Sequence, residues 1–96
     1  MRIEYSKRAI ADLRAISAYY RSFDDSRVAM AVERRIREVI ARIGRSPESA
    51  PRVVERPEVR VALVLRYPYK IFYRVHGDTV RIVHIRHTAR RSWTAE

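Results

Sequence analysis

The side chains best equipped for chemistry lie between Arg66 and Trp93, where arginines gather around His76, His84 and His87. Gly77-Asp78 separates two alternating runs, and a two-residue turn there sets His76 opposite Thr79, Val75 opposite Val80 and Arg74 opposite Arg81. Like charges facing each other across a sheet repel. Solvent screening, interleaved carboxylates or a polyanionic partner would each relieve that pair. His84 and His87 are three apart on an extended run and point to opposite faces. With no cysteine and no cluster of carboxylates, the sequence offers no metal or cofactor site. His84 reads as a core-edge residue hydrogen-bonded to backbone. His87 carries an imidazole, a side chain whose chemistry suits proton transfer.

Further cations flank this hairpin. Arg66 precedes Tyr67-Pro68, and Lys70 lies on the first strand. Arg90-Arg91-Ser92-Trp93 combines guanidinium and indole groups that suit a nucleic acid or protein partner, although a frayed terminus explains them as well. The chain has a net charge of +10, from 21 basic and 11 acidic residues, and every basic residue except Lys7 and Lys70 is arginine. Guanidinium forks match phosphate and carboxylate geometry, whereas a GC-rich genome gives a second reason for arginine. Half of the excess charge lies in residues 66–96, which points to an anionic partner without choosing its class.

These residues need a scaffold, and 96 residues suffice for one domain, 1–96, with a single core. The absence of cysteine and of any long apolar run predicts a cytoplasmic protein with no signal peptide, membrane span or disulfide. Arg2 to Tyr5 alternates as a short strand. Ser6 is placed to cap a helix over about residues 7–22, with Ala9, Leu13, Ile16, Tyr20 and Phe23 on its apolar face. Tyr19-Tyr20 is explained by that core face more cheaply than by recognition. A second helix carries Val28, Val32, Ile36, Val39 and Ile43 and stops near Gly44, and the short connection makes the two helices antiparallel neighbours. On its outer face, Glu33–Arg37 and Arg34–Glu38 are spaced as self-neutralising i,i+4 pairs.

The prolines between Arg45 and Pro57 mark a loop with a short extended piece at Val53-Val54. Val59, Val61, Leu63 and Leu65 then share one face of a strand. In the hairpin that follows, Ile71, Tyr73, Val75, Val80, Ile82 and His84 form the face for the helices. Lys70, Phe72, Arg74, Arg81, Val83 and Ile85 form the opposite one. The order β-α-α-β-β-β predicts an α+β fold: an N-terminal strand and an antiparallel helical hairpin packed on one face of a small, mainly antiparallel sheet.

The pattern Ala9, Asp12, Leu13, Ile16, Tyr19, the strand Tyr67-Pro68-Tyr69-Lys70-Ile71-Phe72-Tyr73-Arg74-Val75 and the ending His87-Thr88-Ala89-Arg90-Arg91 resemble the RelE/ParE superfamily of toxins from bacterial type II toxin–antitoxin modules. The resemblance covers nearly the whole chain and is nearer to ParE-like members. It implies an acidic antitoxin as partner, DNA gyrase as target, and operator DNA reached only indirectly through the antitoxin. The implied contacts to target or antitoxin are Arg66, Lys70, Arg74, Arg81, His87, Arg90, Arg91 and Trp93.

The alternative within the superfamily is a RelE-like, metal-independent endoribonuclease acting on mRNA in the ribosome. Such chemistry needs a base, an acid and cations for the phosphorane-like charge, a role open here to His87 with Arg74, Arg81 and Arg90. No tyrosine follows Tyr73, so the C-terminal tyrosine used by some ribonuclease relatives is absent. A nucleic-acid or antitoxin-binding module without toxicity is the third reading.

Overall fold

A computed structural model describes residues 1–88. The elements follow the order β1 (Arg2–Tyr5), α1 (Lys7–Arg21), α2 (Ser26–Arg45), β2 (Arg52–Val53), β3 (Arg56–Val64), β4 (Tyr69–His76) and β5 (Thr79–His87). Ser6 caps α1 as expected, its hydroxyl accepting the Ala9 N–H at 2.9 Å, and Asp25 caps α2 by accepting from the Arg27 N–H. Gly44 does not end α2. The helix continues to Arg45, and the Ser46 N–H closes the last turn on the Arg42 carbonyl. Among the described residues, no helix is long and apolar enough to cross a membrane.

The five strands form one sheet in the order β1-β5-β4-β3-β2, with β1 parallel to β5 and the other pairs antiparallel. α1 lies against β5 and α2 against β3, on one side of the sheet. Ile16, Val32, Ile36, Val39, Ile40 and Ile43 of the helices pack there on Ala62, Val64, Ile71, Tyr73, Val80, Ile82 and Ile85. Phe23 and Val28, counted in the apolar stripes, instead sit exposed near the connection between the helices. The far face of the sheet holds a smaller cluster of Val59 and Phe72, with Val53, Val61 and Val83 against it. Val59, Val61 and Leu63 share that far face, with Leu63 exposed, whereas Leu65 lies past the end of β3 in an exposed turn. Both faces of β3 are apolar, so alternation alone does not say which one meets the helices.

The β4–β5 hairpin turns at Gly77, whose φ of 60° suits a glycine, and Arg74 pairs with Arg81 as the turn required. The register then shifts: Tyr73 pairs with Ile82, but Phe72 pairs with His84, leaving Val83 as the extra residue of a β-bulge. The bulge corrects the expected faces. Ile85 joins the main core and His84 stacks on Phe72, with ring centroids 6.0 Å apart.

The bulge has a physical cause in α1. β1 ends at Tyr5, so the edge of β5 beyond Ile82 has no strand to pair with. The N-terminal half of α1 supplies the missing partners. Ser6 donates its N–H to the Ile82 carbonyl (2.9 Å) and its hydroxyl to the Val83 carbonyl (2.7 Å), and the Asp12 carboxylate accepts the Ile85 N–H (2.9 Å).

Candidate functional site

On the far face of the sheet, β4 and β5 present two rungs of paired cations. Arg74 lies opposite Arg81, Lys70 lies opposite Arg86, and the buried Phe72–His84 rung sits between them. Sequence reasoning misses the Lys70–Arg86 pair, because an unbroken register places Lys70 opposite Ile85; only the bulge brings Arg86 across. Its signal in the sequence is weak, since nothing in Val83-His84-Ile85 marks which residue will be doubled.

Near the turn, a shallow cavity of about 400 Å3 is lined by Arg2, Glu4, Glu58, Arg74, His76 and Arg81, among others. Glu4 of β1 stands between two guanidiniums, accepting from Arg2 at 2.9 Å and from Arg81 at 3.5 Å. An interleaved carboxylate thus relieves part of the Arg74–Arg81 repulsion. Arg74 and Lys70 have no ion pair among the described residues. The surface therefore keeps a net positive charge able to take an anionic group, with an apolar rung beneath it.

His87 lies elsewhere. It pairs with Tyr69 at the other end of β5, and the two rings meet edge to face at 5.6 Å. With Tyr19, Tyr20, Tyr69, Pro68 and Arg86 it lines a cleft of about 730 Å3 beside α1. It lies six positions beyond Arg81 along β5, roughly 20 Å at about 3.3 Å per residue. It also belongs to the Tyr69 side of the sheet, not the Arg74–Arg81 side. The structure therefore does not gather His87, Arg74 and Arg81 around one point. Arg66 is separate again: it lies in the β3–β4 turn against α2, with Arg34 and Arg35. Arg90, Arg91 and Trp93 lie outside the described residues.

His84 does more than border the core. The Asp12 carboxylate lies 2.7 Å from its Nδ1, a side-chain partner that the sequence reading did not name. Burial holds its pKa below the ordinary 6.5, against the pull of Asp12 and with help from Arg8 and Arg86. His84 is a neutral, buried strut between α1 and β5.

The sequence matches the ParE toxin of type II toxin-antitoxin system, parDE, over residues 3–92. This chain belongs to the ParE toxin family. Among curated proteins compared with it, none matches. Among solved structures, the ParE-family fold described above is similar to a chain of the chromosomal ParDE TA system from P. aeruginosa, at 27% identity and a TM-score of 0.79, covering 91% of this chain and 95% of that one. The isolated E. coli RelE toxin matches with 14% identity, a TM-score of 0.67 and coverage of 94% and 86%. The intact E. coli RelBE toxin-antitoxin complex matches with 15% identity, a TM-score of 0.67 and coverage of 94% and 98%. At these identities the two RelE matches speak for the fold alone. The resemblance to type II toxins and the α+β architecture both stand, and the ParE family is the one the sequence joins.

Proposed function

We propose that this ParE-family toxin arrests growth by docking on DNA gyrase, and that an acidic antitoxin segment neutralises it by covering the same cations. The observation that carries this reading is the separation of His87 from the Arg74–Arg81 pair along β5 and across the sheet. Cleavage of RNA without metal needs a proton acceptor, a proton donor and cations within hydrogen-bond reach of one phosphodiester. The two cation rungs instead supply a rigid charged surface, and the exposed Leu63, which pairs with Lys70, adds apolar area beside them, the pattern of a protein-binding face. The similarity to a chain of the P. aeruginosa ParDE TA system and the match to the ParE toxin family support an antitoxin partner here.

Inducible expression in bacteria, with and without the protein encoded beside it, tests the proposal when the DNA-damage response and mRNA integrity are followed in the same cultures. Growth arrest with DNA damage, intact mRNA and rescue by the co-expressed partner is the expected result. Cleaved mRNA without DNA damage would replace it by the ribonuclease reading, and no arrest would replace it by a binding module.

A further inference from the structure

A second group of cations gathers on the helix side of the molecule, away from the β4–β5 rungs. Arg34, Arg35 and Glu38 of α2 share a cavity of about 420 Å3 with Arg66 and Tyr67 of the β3–β4 turn. A neighbouring cavity of about 360 Å3 is lined by Arg27, Met30, Glu33, Arg34 and Arg37. Arg34 lines both, so the surface is continuous.

Neither i,i+4 pair closes as an ion pair on this face, although the charge of Arg37 still acts on Glu33. Glu33 turns instead toward α1, where it accepts from the Ser17 hydroxyl and from Arg21, whose Nη2 lies 3.0 Å away. That bond to Ser17, opposed by burial and helped by Arg21 and by the charge of Arg37, holds the Glu33 carboxyl below its usual range. Glu38 takes Arg35 at 3.1 Å. Arg34, Arg37 and Arg66 are exposed and have no ion pair among the described residues.

Two further features single out this surface. The Nε of Arg35 is shut off from solvent and has no hydrogen-bond partner among the described residues. Buried donors left unpaired are rare, and this one sits in the same cavity wall as the exposed Arg34 and Arg66, so donors outnumber acceptors there. Arg66 stands at φ 78°, the one positive φ among the described non-glycine residues. A long cationic side chain at a position that favours glycine places strain where charge is displayed.

The class of anion follows from what else lines the surface. A protein partner draws its affinity from aromatic or aliphatic anchors seated in pockets. Here Ala31 and Tyr67 offer little to seat them, and the exposed Met30 projects rather than encloses. A nucleic-acid backbone asks only for guanidinium forks spread along a surface. We infer that the α2 and β3–β4 turn surface, through Arg34, Arg35, Arg37 and Arg66, grips the phosphodiester backbone of a nucleic acid without reading its sequence. The contact is direct, made by the toxin itself, and separate from the sheet face proposed to meet the target.

The full chain, titrated by fluorescence anisotropy against two labelled DNA duplexes of unrelated sequence between about 50 and 200 mM salt, tests this. Both duplexes bind alike. Replacing Arg34, Arg37 and Arg66 together by Gln lowers the slope of log K against log salt by about 2.7, at about 0.9 for each phosphate no longer neutralised, and each single replacement lowers it by about 0.9. Arg14→Gln, at an exposed arginine of α1 outside this surface, leaves the slope unchanged. An unaltered slope in the triple variant would overturn the inference, as would a slope that falls only when Arg74 and Arg81 are replaced together by Gln. Tighter binding of a labelled poly-glutamate peptide than of either duplex would also overturn it, assigning the surface to an acidic protein. The three arginines make no ion pair that folding needs, so unchanged thermal melting accompanies the expected result. Because the assay contains no gyrase, its outcome is independent of the proposed target.

Discussion

Asp12 Oδ2 lies 2.7 Å from His84 Nδ1 and accepts the backbone N–H of Ile85 at 2.9 Å, so one oxygen ties α1 to the bulged stretch of β5. A carboxylate oxygen only accepts, which places the hydrogen on Nδ1. Asp12→Ala strips both donors of their acceptor in a partly buried site and should cost about 2–3 kcal/mol of stability. Urea unfolding of the variant beside the parent measures it. A loss below about 0.5 kcal/mol would mean that water or another group replaces the carboxylate.

The burial of the same histidine predicts a pH dependence. Burial lowers the pKa of His84 in the fold, and Arg8 and Arg86 add to that, while Asp12 opposes it. Below 6.5 the unfolded chain takes up a proton that the folded chain refuses, so this contribution is complete above 6.5 and is lost as pH falls toward the lower folded value. Above about pH 5 the carboxylates stay largely ionised and do not mask it. Denaturation midpoints across this window should fall with pH in the parent and flatten in His84→Asn, whose amide can still donate to Asp12 without titrating. Equal slopes would exclude His84 as the cause.

How much of this is legible in the sequence depends on sequence distance. The turn at Gly77-Asp78 fixes the Arg74–Arg81 rung, because a two-residue turn leaves the register no freedom. Ser6 as an N-cap is legible for a similarly local reason. The Asp12–His84 bond joins residues 72 apart and carries no local signal. The bulge at Val83 depends on it and on Ser6, so simple alternation gives Ile85, His84 and Arg86 the wrong neighbours. Glu33 shows a different limit: spacing offers it Arg37, but packing of α1 on α2 brings Ser17 and Arg21 closer.

Arg66 offers a test that separates stability from binding. A non-glycine residue at φ 78° carries a backbone penalty of about 1–2 kcal/mol, partly offset by the greater freedom that glycine has in the unfolded chain. Arg66→Gly should therefore raise stability by about 0.5–1 kcal/mol while weakening the salt-dependent binding of duplex DNA. Arg66→Ala should weaken binding equally without the gain in stability. If neither variant alters binding, the charge at this turn is incidental.

The sheet face gives the sharpest functional prediction. Arg81 and Glu4 form an exposed pair at 3.5 Å, a kind of interaction worth about 0–1 kcal/mol, and Glu4 keeps Arg2 when Arg81 is removed. Exchanging Arg74 and Arg81 together for Gln also removes a repulsive cross-strand pair, which offsets part of that small loss. The double variant should thus unfold within about 1 kcal/mol of the parent. If these cations meet the target, the same variant should no longer arrest growth on induction, at expression levels matched by immunoblot. Lys70→Gln with Arg86→Gln, the rung beyond Phe72, should weaken arrest as well, because the two rungs border one surface. A folded Arg74/Arg81 variant that arrests growth as the parent does would remove this rung from the mechanism and turn attention to His87 and the tyrosine-lined cleft beside α1.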